Sequence, residues 1–146
     1  MTVLVVNKQS RRIPRKWLEE IALLVMEQEG CDPETELSVV IGDDEWIQDL
    51  NQEYLKKERP TDVLAFPQDI GPAGTPPLLG DVAISAETAA RQAEQAQHSF
   101  RQELALLLTH GILHLTGWRD DTLARRRRMM ARSQELLARA ESRPTR

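Results

Sequence analysis

THGILHLTGWRDD, residues 109–121, carries two of the three histidines in the chain, His110 and His114. Their i, i+4 spacing puts both imidazoles on one face of a helix, one turn apart. A helix is expected because Leu104 through Leu115 is almost wholly apolar, right for a buried core helix and too short to cross a membrane. Ser99-x-x-Gln102 is a capping-box signal for its start. Gly117 stops it, since glycine takes the left-handed conformation beyond a helix end at little cost. The chain reversal can then return Asp120 or Asp121 toward the histidines. The pattern His-x3-His-x5-Asp offers two ring nitrogens and a carboxylate, with at least one position left open. Three protein ligands plus a water is how catalytic zinc is usually held.

Two ordinary structural roles compete with this. The histidines could be core residues bonded to backbone, but two unpaired polar rings in so apolar a helix would be costly to bury. One of the two aspartates could cap the helix that begins near Thr122, with Asp121 the better candidate. Gly111 follows the first histidine where a zinc protease of the H-E-x-x-H type has its general-base glutamate. The site reads as metal-binding and not proteolytic.

Outward from this stretch, apolar patterning divides the rest of the chain. Thr2 to Val6 reads as a strand. Pro14 suits a helix N1 position, and Trp17, Leu18, Ile21, Leu24 and Val25 keep helical spacing until Gly30. Leu37 to Ile41 is a second strand, followed by a helix that opens on aspartates and carries Trp46, Ile47 and Leu50. KKERPTD is a basic, proline-broken connection, Val63 to Phe66 a short strand, and Pro67 marks it as a sheet edge. Gln68 to Pro77, rich in glycine and proline, reads as a flexible loop. Leu78 to Ser85 is the fourth strand, and Ser85 caps a helix to about Gln97 with Glu87 in its first turn. A last helix runs from Thr122 to about Ala140, and residues 142–146 should fray. The expected fold is α/β (α+β): one domain over 1–146, with a four-stranded mixed sheet, five helices, and the buried histidine helix against the sheet. Phe66 and its edge strand would lie near the metal and could carry an extended substrate.

Composition is that of a soluble globular protein, with 146 residues, 40% hydrophobic and 29% charged. The lone Cys31 cannot form an internal disulfide, which agrees with a cytoplasmic location. The N-terminus lacks the basic-then-apolar order of a signal peptide, and no run is long enough to span a membrane. A net charge of −4 argues against a generic nucleic-acid binder, but the charge is uneven. Residues 1–100 hold 9 basic and 18 acidic side chains, whereas residues 101–146 hold 10 arginines and 5 acids. The basic third could meet phosphate, or Arg125 to Arg128 could be a solvated helix face paired with acids elsewhere.

Three motifs in order, LNQEYLKKERPTDVLAFP, LLGDVAIS and HGILHLTGW, resemble the YbeY family of bacterial endoribonucleases across roughly residues 37–135. The resemblance implies a metalloprotease-like α/β fold, one Zn2+ in a cleft, and activity on single-stranded RNA. It also implies a role in ribosomal RNA processing, chiefly at the 3′ end of the small-subunit RNA, and in ribosome quality control. The partners it implies are ribosomal RNA, ribosomal proteins and the small ribosomal subunit. The zinc ligands it implies are His110, His114 and Asp120, the last standing where the family usually has a histidine. A carboxylate there is a normal zinc ligand but makes the bound water less acidic. Leu55 stands where the family usually has a phosphate-holding arginine. Lys57 and Arg59, with Lys56, lie close by as substitute phosphate contacts, though lysine is a point charge rather than a fork. A ribosome-assembly factor with a structural zinc is the alternative from another functional class.

Overall fold

The computed structural model describes residues 1–55, 62–68, 74–75 and 77–142. Lys56, Lys57 and Arg59, most of the loop expected over 68–77, and the tail 143–146 lie outside the described residues, as does the side chain of Leu55. In chain order the elements are β1 (Thr2–Asn7), α1 (Arg15–Gln28), β2 (Glu36–Gly42), α2 (Asp44–Leu55), β3 (Val63–Pro67), β4 (Leu78–Ser85), α3 (Ala86–Ala96), α4 (Phe100–Leu115) and α5 (Leu123–Ser142). The four strands form one mixed sheet in the order β1-β2-β4-β3. β1, β2 and β4 run parallel, and β3 pairs antiparallel with β4, Ala65 opposite Val82. The proline-ended strand is therefore an edge, as its chemistry requires.

Period-2 alternation divides β3 and β4 between the two faces of this sheet. Val82 and Ile84 point into the large core with Val63 beside them, while Ala83, Leu64 and Phe66 pack with Trp46, Ile47 and Leu50 of α2. Helices α1, α4 and α5 fill the first face, with α3 against α4, and α2 covers the second. α4 is apolar nearly all round because it touches α1, α3, α5 and the sheet. Leu104, Leu107, Leu108, Ile112 and Leu113 are all buried. Each contributes about 1.5–3 kcal/mol by leaving water.

The helix ends follow local chemistry, with small differences from the sequence reading. Pro14 is the residue before α1 and not its first position, and Gly30 takes φ +76° just past its end. Asp43 caps α2 by accepting from the Trp46 N–H at 2.8 Å. Ser99 and Gln102 form the reciprocal capping box of α4. The last helix extends to Ser142, two residues beyond expectation.

Candidate metal centre

α4 carries His110 and His114 one turn apart and packs against β3 and β4. That approach is close because residue 111 is glycine. A Cβ there would lie 2.6 Å from a Val82 methyl and 3.4 Å from one of Val63. The residue type that argues against protease chemistry is thus also the one that lets the histidine helix lie on the sheet.

Nε2 of His110 is fully buried and has no hydrogen-bond partner among the described residues. Burial pushes the His110 pKa down, against the opposing pull of the Asp62 carboxylate. His114 adds to the downward push and Asp120 to the upward one. The ring is therefore held neutral, the form that can donate a lone pair to a metal. One turn on, His114 is a third exposed, and its Nε2 lies 3.4 Å from a carboxylate oxygen of Asp120. No three His, Cys, Asp or Glu side chains are gathered into a ready-made metal cluster among the described residues.

The turn after α4 brings Asp120 back by specific bonds. Gly117 adopts φ +104°, and the Trp118 N–H returns to Leu113 O at 2.9 Å. The Trp118 indole N–H donates to Glu29 at the end of α1, whose other carboxylate oxygen accepts from Arg132 at 3.0 Å. Burial alone would weaken the charge on Arg132, but Glu29 and Glu135 outweigh it and raise the pKa further.

Asp120 and Asp121 have separate partners. Arg119 and Arg125 each reach the Asp121 carboxylate at 2.8 Å. The Arg125 hydrogen bond, reinforced by the charge of Arg119, holds Asp121 below the usual carboxylate range. Asp121 does not cap α5, contrary to the sequence expectation. Thr122 does, its hydroxyl accepting from the Arg125 N–H at 3.1 Å.

Asp62 was missed by reasoning from spacing. Its Oδ1 accepts from the Val63 N–H at 2.7 Å and its backbone carbonyl from Ser85 N, which fixes it at the start of β3. The signal in the sequence was a lone carboxylate directly before the edge strand, 48 positions from His110. The third histidine, His98, lies apart and pairs with the buried Glu103 at 2.5 Å.

The donor set of two imidazoles and a carboxylate suits a zinc-type ion, and a buried ring nitrogen without a partner is what such an ion would satisfy. Comparison with known proteins bears on the fold and the family. A Thermotoga maritima protein whose structure was determined in solution shares the fold, with a TM-score of 0.62 over 97% of this chain and 93% of that one, at 23% identity. "Endoribonuclease YbeY" of Geobacter metallireducens is 44% identical over 143 residues, covering 94% of this chain and 95% of that protein. The protein of the same name from Bacillus subtilis is 38% identical over 130 residues, covering 84% and 83%. The family model described as "Endoribonuclease YbeY" matches residues 5–141, so nearly the whole of this fold, histidine helix and edge strand included, belongs to the YbeY endoribonuclease family.

Proposed function

We propose that this chain is a zinc-dependent endoribonuclease that cuts single-stranded RNA in ribosomal RNA processing, at the 3′ end of the small-subunit RNA, in contact with the small ribosomal subunit. Family membership supports the reaction class. The observation that carries the metal reading is the buried Nε2 of His110, which has no hydrogen-bond partner among the described residues, one helical turn from a histidine that faces a carboxylate.

His110, His114 and Asp120 are the proposed ligands. When bound, a zinc ion would polarise a phosphate oxygen or lower the pKa of a water toward roughly 7. The chain's own residues shape the rest. His110 is kept neutral by burial, and Asp120 brings negative charge to the more open side of the pair. Asp62, just before the edge strand, adds a second carboxylate whose charge acts on His110. β3 is an edge strand of the sheet, and among the described residues no further strand pairs with its outer side, which suits an extended strand of substrate. Lys57 and Arg59, just before that strand, are the proposed phosphate contacts in place of the family arginine.

The test is zinc content and RNA cleavage measured on one preparation. The protein should hold about one zinc, His110→Ala and His114→Ala should each lose it, and stripped protein should cut single-stranded RNA only after zinc is restored. If both variants stay zinc-loaded, the metal assignment fails. Zinc-loaded protein that binds RNA without cutting it would favour the assembly-factor reading.

A further inference from the structure

We propose that the cleft lined by Thr116, Gly117, Trp118, Arg119, Arg125 and Arg128 is a phosphate subsite that grips the backbone of single-stranded RNA beside the histidine site. The proposal rests on the endoribonuclease reading above and assigns its substrate a place. The cleft measures about 320 Å3 and is open to solvent, enough room for a phosphodiester and its sugar.

Its polar lining reduces to arginine. The Thr116 hydroxyl is turned back onto the carbonyls of Ile112 and Leu113. The backbone N–H groups of Gly117 and Trp118 are spent on His114 and Leu113, and the indole N–H on Glu29. Arg119 and Arg125 share the single carboxylate of Asp121, which orients both guanidinium groups yet leaves each with further donors. Arg128 makes no ion pair among the described residues. Three cations therefore face the cleft with one anion among them.

The position of these arginines makes poor sense for stability alone. Residues 125–128 are four consecutive cations at the start of α5, and the first turn holds no acid. That is the positive end of the helix dipole, where basic side chains are unfavourable and anions favourable. Farther along the same helix the arginines are matched: Arg132 with Glu29 and Glu135, Arg139 with Glu135. The unmatched charge is thus confined to the end that borders the cleft. A bound phosphate would relieve both the mutual repulsion and the dipole conflict. The same turn carries Asp120 to within 3.4 Å of His114, so backbone held by the arginines adjoins the proposed metal centre.

Helix geometry supplies an internal control. Arg128 lines the cleft and its neighbour Arg127 does not, although both sit at the same helix end and carry the same charge. The experiment measures binding of a short, non-cleavable 2′-O-methylated oligouridine to zinc-loaded wild type, Arg128→Ala and Arg127→Ala over a range of salt. Arg128→Ala should weaken binding roughly tenfold and lower the salt slope by about 0.7, the value of one lost single-strand phosphate contact. Arg127→Ala should stay within about twofold, as expected for a change in distant charge only. Arg128→Lys should fall between, keeping the charge but not the fork. Equal losses for Arg127→Ala and Arg128→Ala would overturn the site in favour of diffuse attraction. If wild type cuts RNA with zinc while Arg128→Ala binds the oligonucleotide as tightly, the cleft alone is wrong. If wild type ignores the oligonucleotide, the RNA reading falls together with the cleft.

Discussion

Trp118 donates its indole N–H to Glu29, a residue 89 positions earlier, and Arg132 grips the other oxygen of the same carboxylate at 3.0 Å. These bonds pin the turn that carries Asp120 against the end of α1 and the middle of α5. Glu29 is 8% exposed and Arg132 18%, so removing the acid leaves a largely buried cation without its main partner. Glu29→Ala should lower stability by about 3 kcal/mol, the scale of a broken buried pair. Glu29→Gln, which can still accept from Trp118, should lose less. Urea unfolding compares them. A Glu29→Ala protein as stable as wild type would show that the turn is held by other contacts.

The two adjacent aspartates should behave differently. Asp120→Ala should lower zinc affinity steeply, since one of three proposed ligands goes. Asp121→Ala should leave zinc in place and release Arg119 and Arg125. Asp120→His should keep zinc and give a more acidic bound water. Zinc titration of the three variants decides the matter, and the assignment is lost if Asp121 proves essential and Asp120 dispensable.

Gly111→Ala sets helix propensity against packing. Alanine gains about 1 kcal/mol over glycine inside a helix. Here its Cβ would meet one Val82 methyl at 2.6 Å and the other at 3.0 Å, so the helix or the strand must shift. Overpacking of this kind costs about 1–3 kcal/mol. The net expectation is a lower thermal midpoint together with weaker zinc binding, because the same shift moves His110. A stabilised variant with unchanged zinc affinity would mean that the contact relaxes freely.

Asp44 gives the fold an acid-sensitive joint. Its carboxylate accepts from the Ser85 and Thr88 hydroxyls and from Arg91, joining the starts of α2 and α3. Burial would raise its pKa, but these bonds outweigh burial and hold it below the ordinary aspartate range. A depressed folded-state pKa stabilises the protein fully above the unfolded value near pH 4, and that contribution is lost as pH falls through the folded value. Asp44→Asn should therefore cost roughly 1 kcal/mol at neutral pH. The gap from wild type should close in acid below about pH 4. A gap that persists undiminished in acid would show that charge on Asp44 contributes nothing.

Much of this molecule was legible because short-range chemistry writes short-range structure. The i, i+4 histidines, the Ser99–Gln102 box, the Ser85 cap and the edge-marking Pro67 each depend on residues within one or two turns, and all take their expected places. The sequence alone also determined that residues 104–115 must be a central helix, since no surface position tolerates so continuous an apolar run. Tertiary structure decided everything that depends on which distant segments meet. Local propensity cannot say that β4 lies between β2 and β3, or that the charge of Asp62 would act on His110, 48 positions later. Nor could it say which aspartate turns toward His114, because Asp120 and Asp121 are chemically alike and adjacent. That choice follows from Glu29 holding Trp118 on one side of the turn and from Arg119 and Arg125 holding Asp121 on the other. These are long-range and charge-pairing contacts, whose geometry exists only once the core has brought α1, α4 and α5 together.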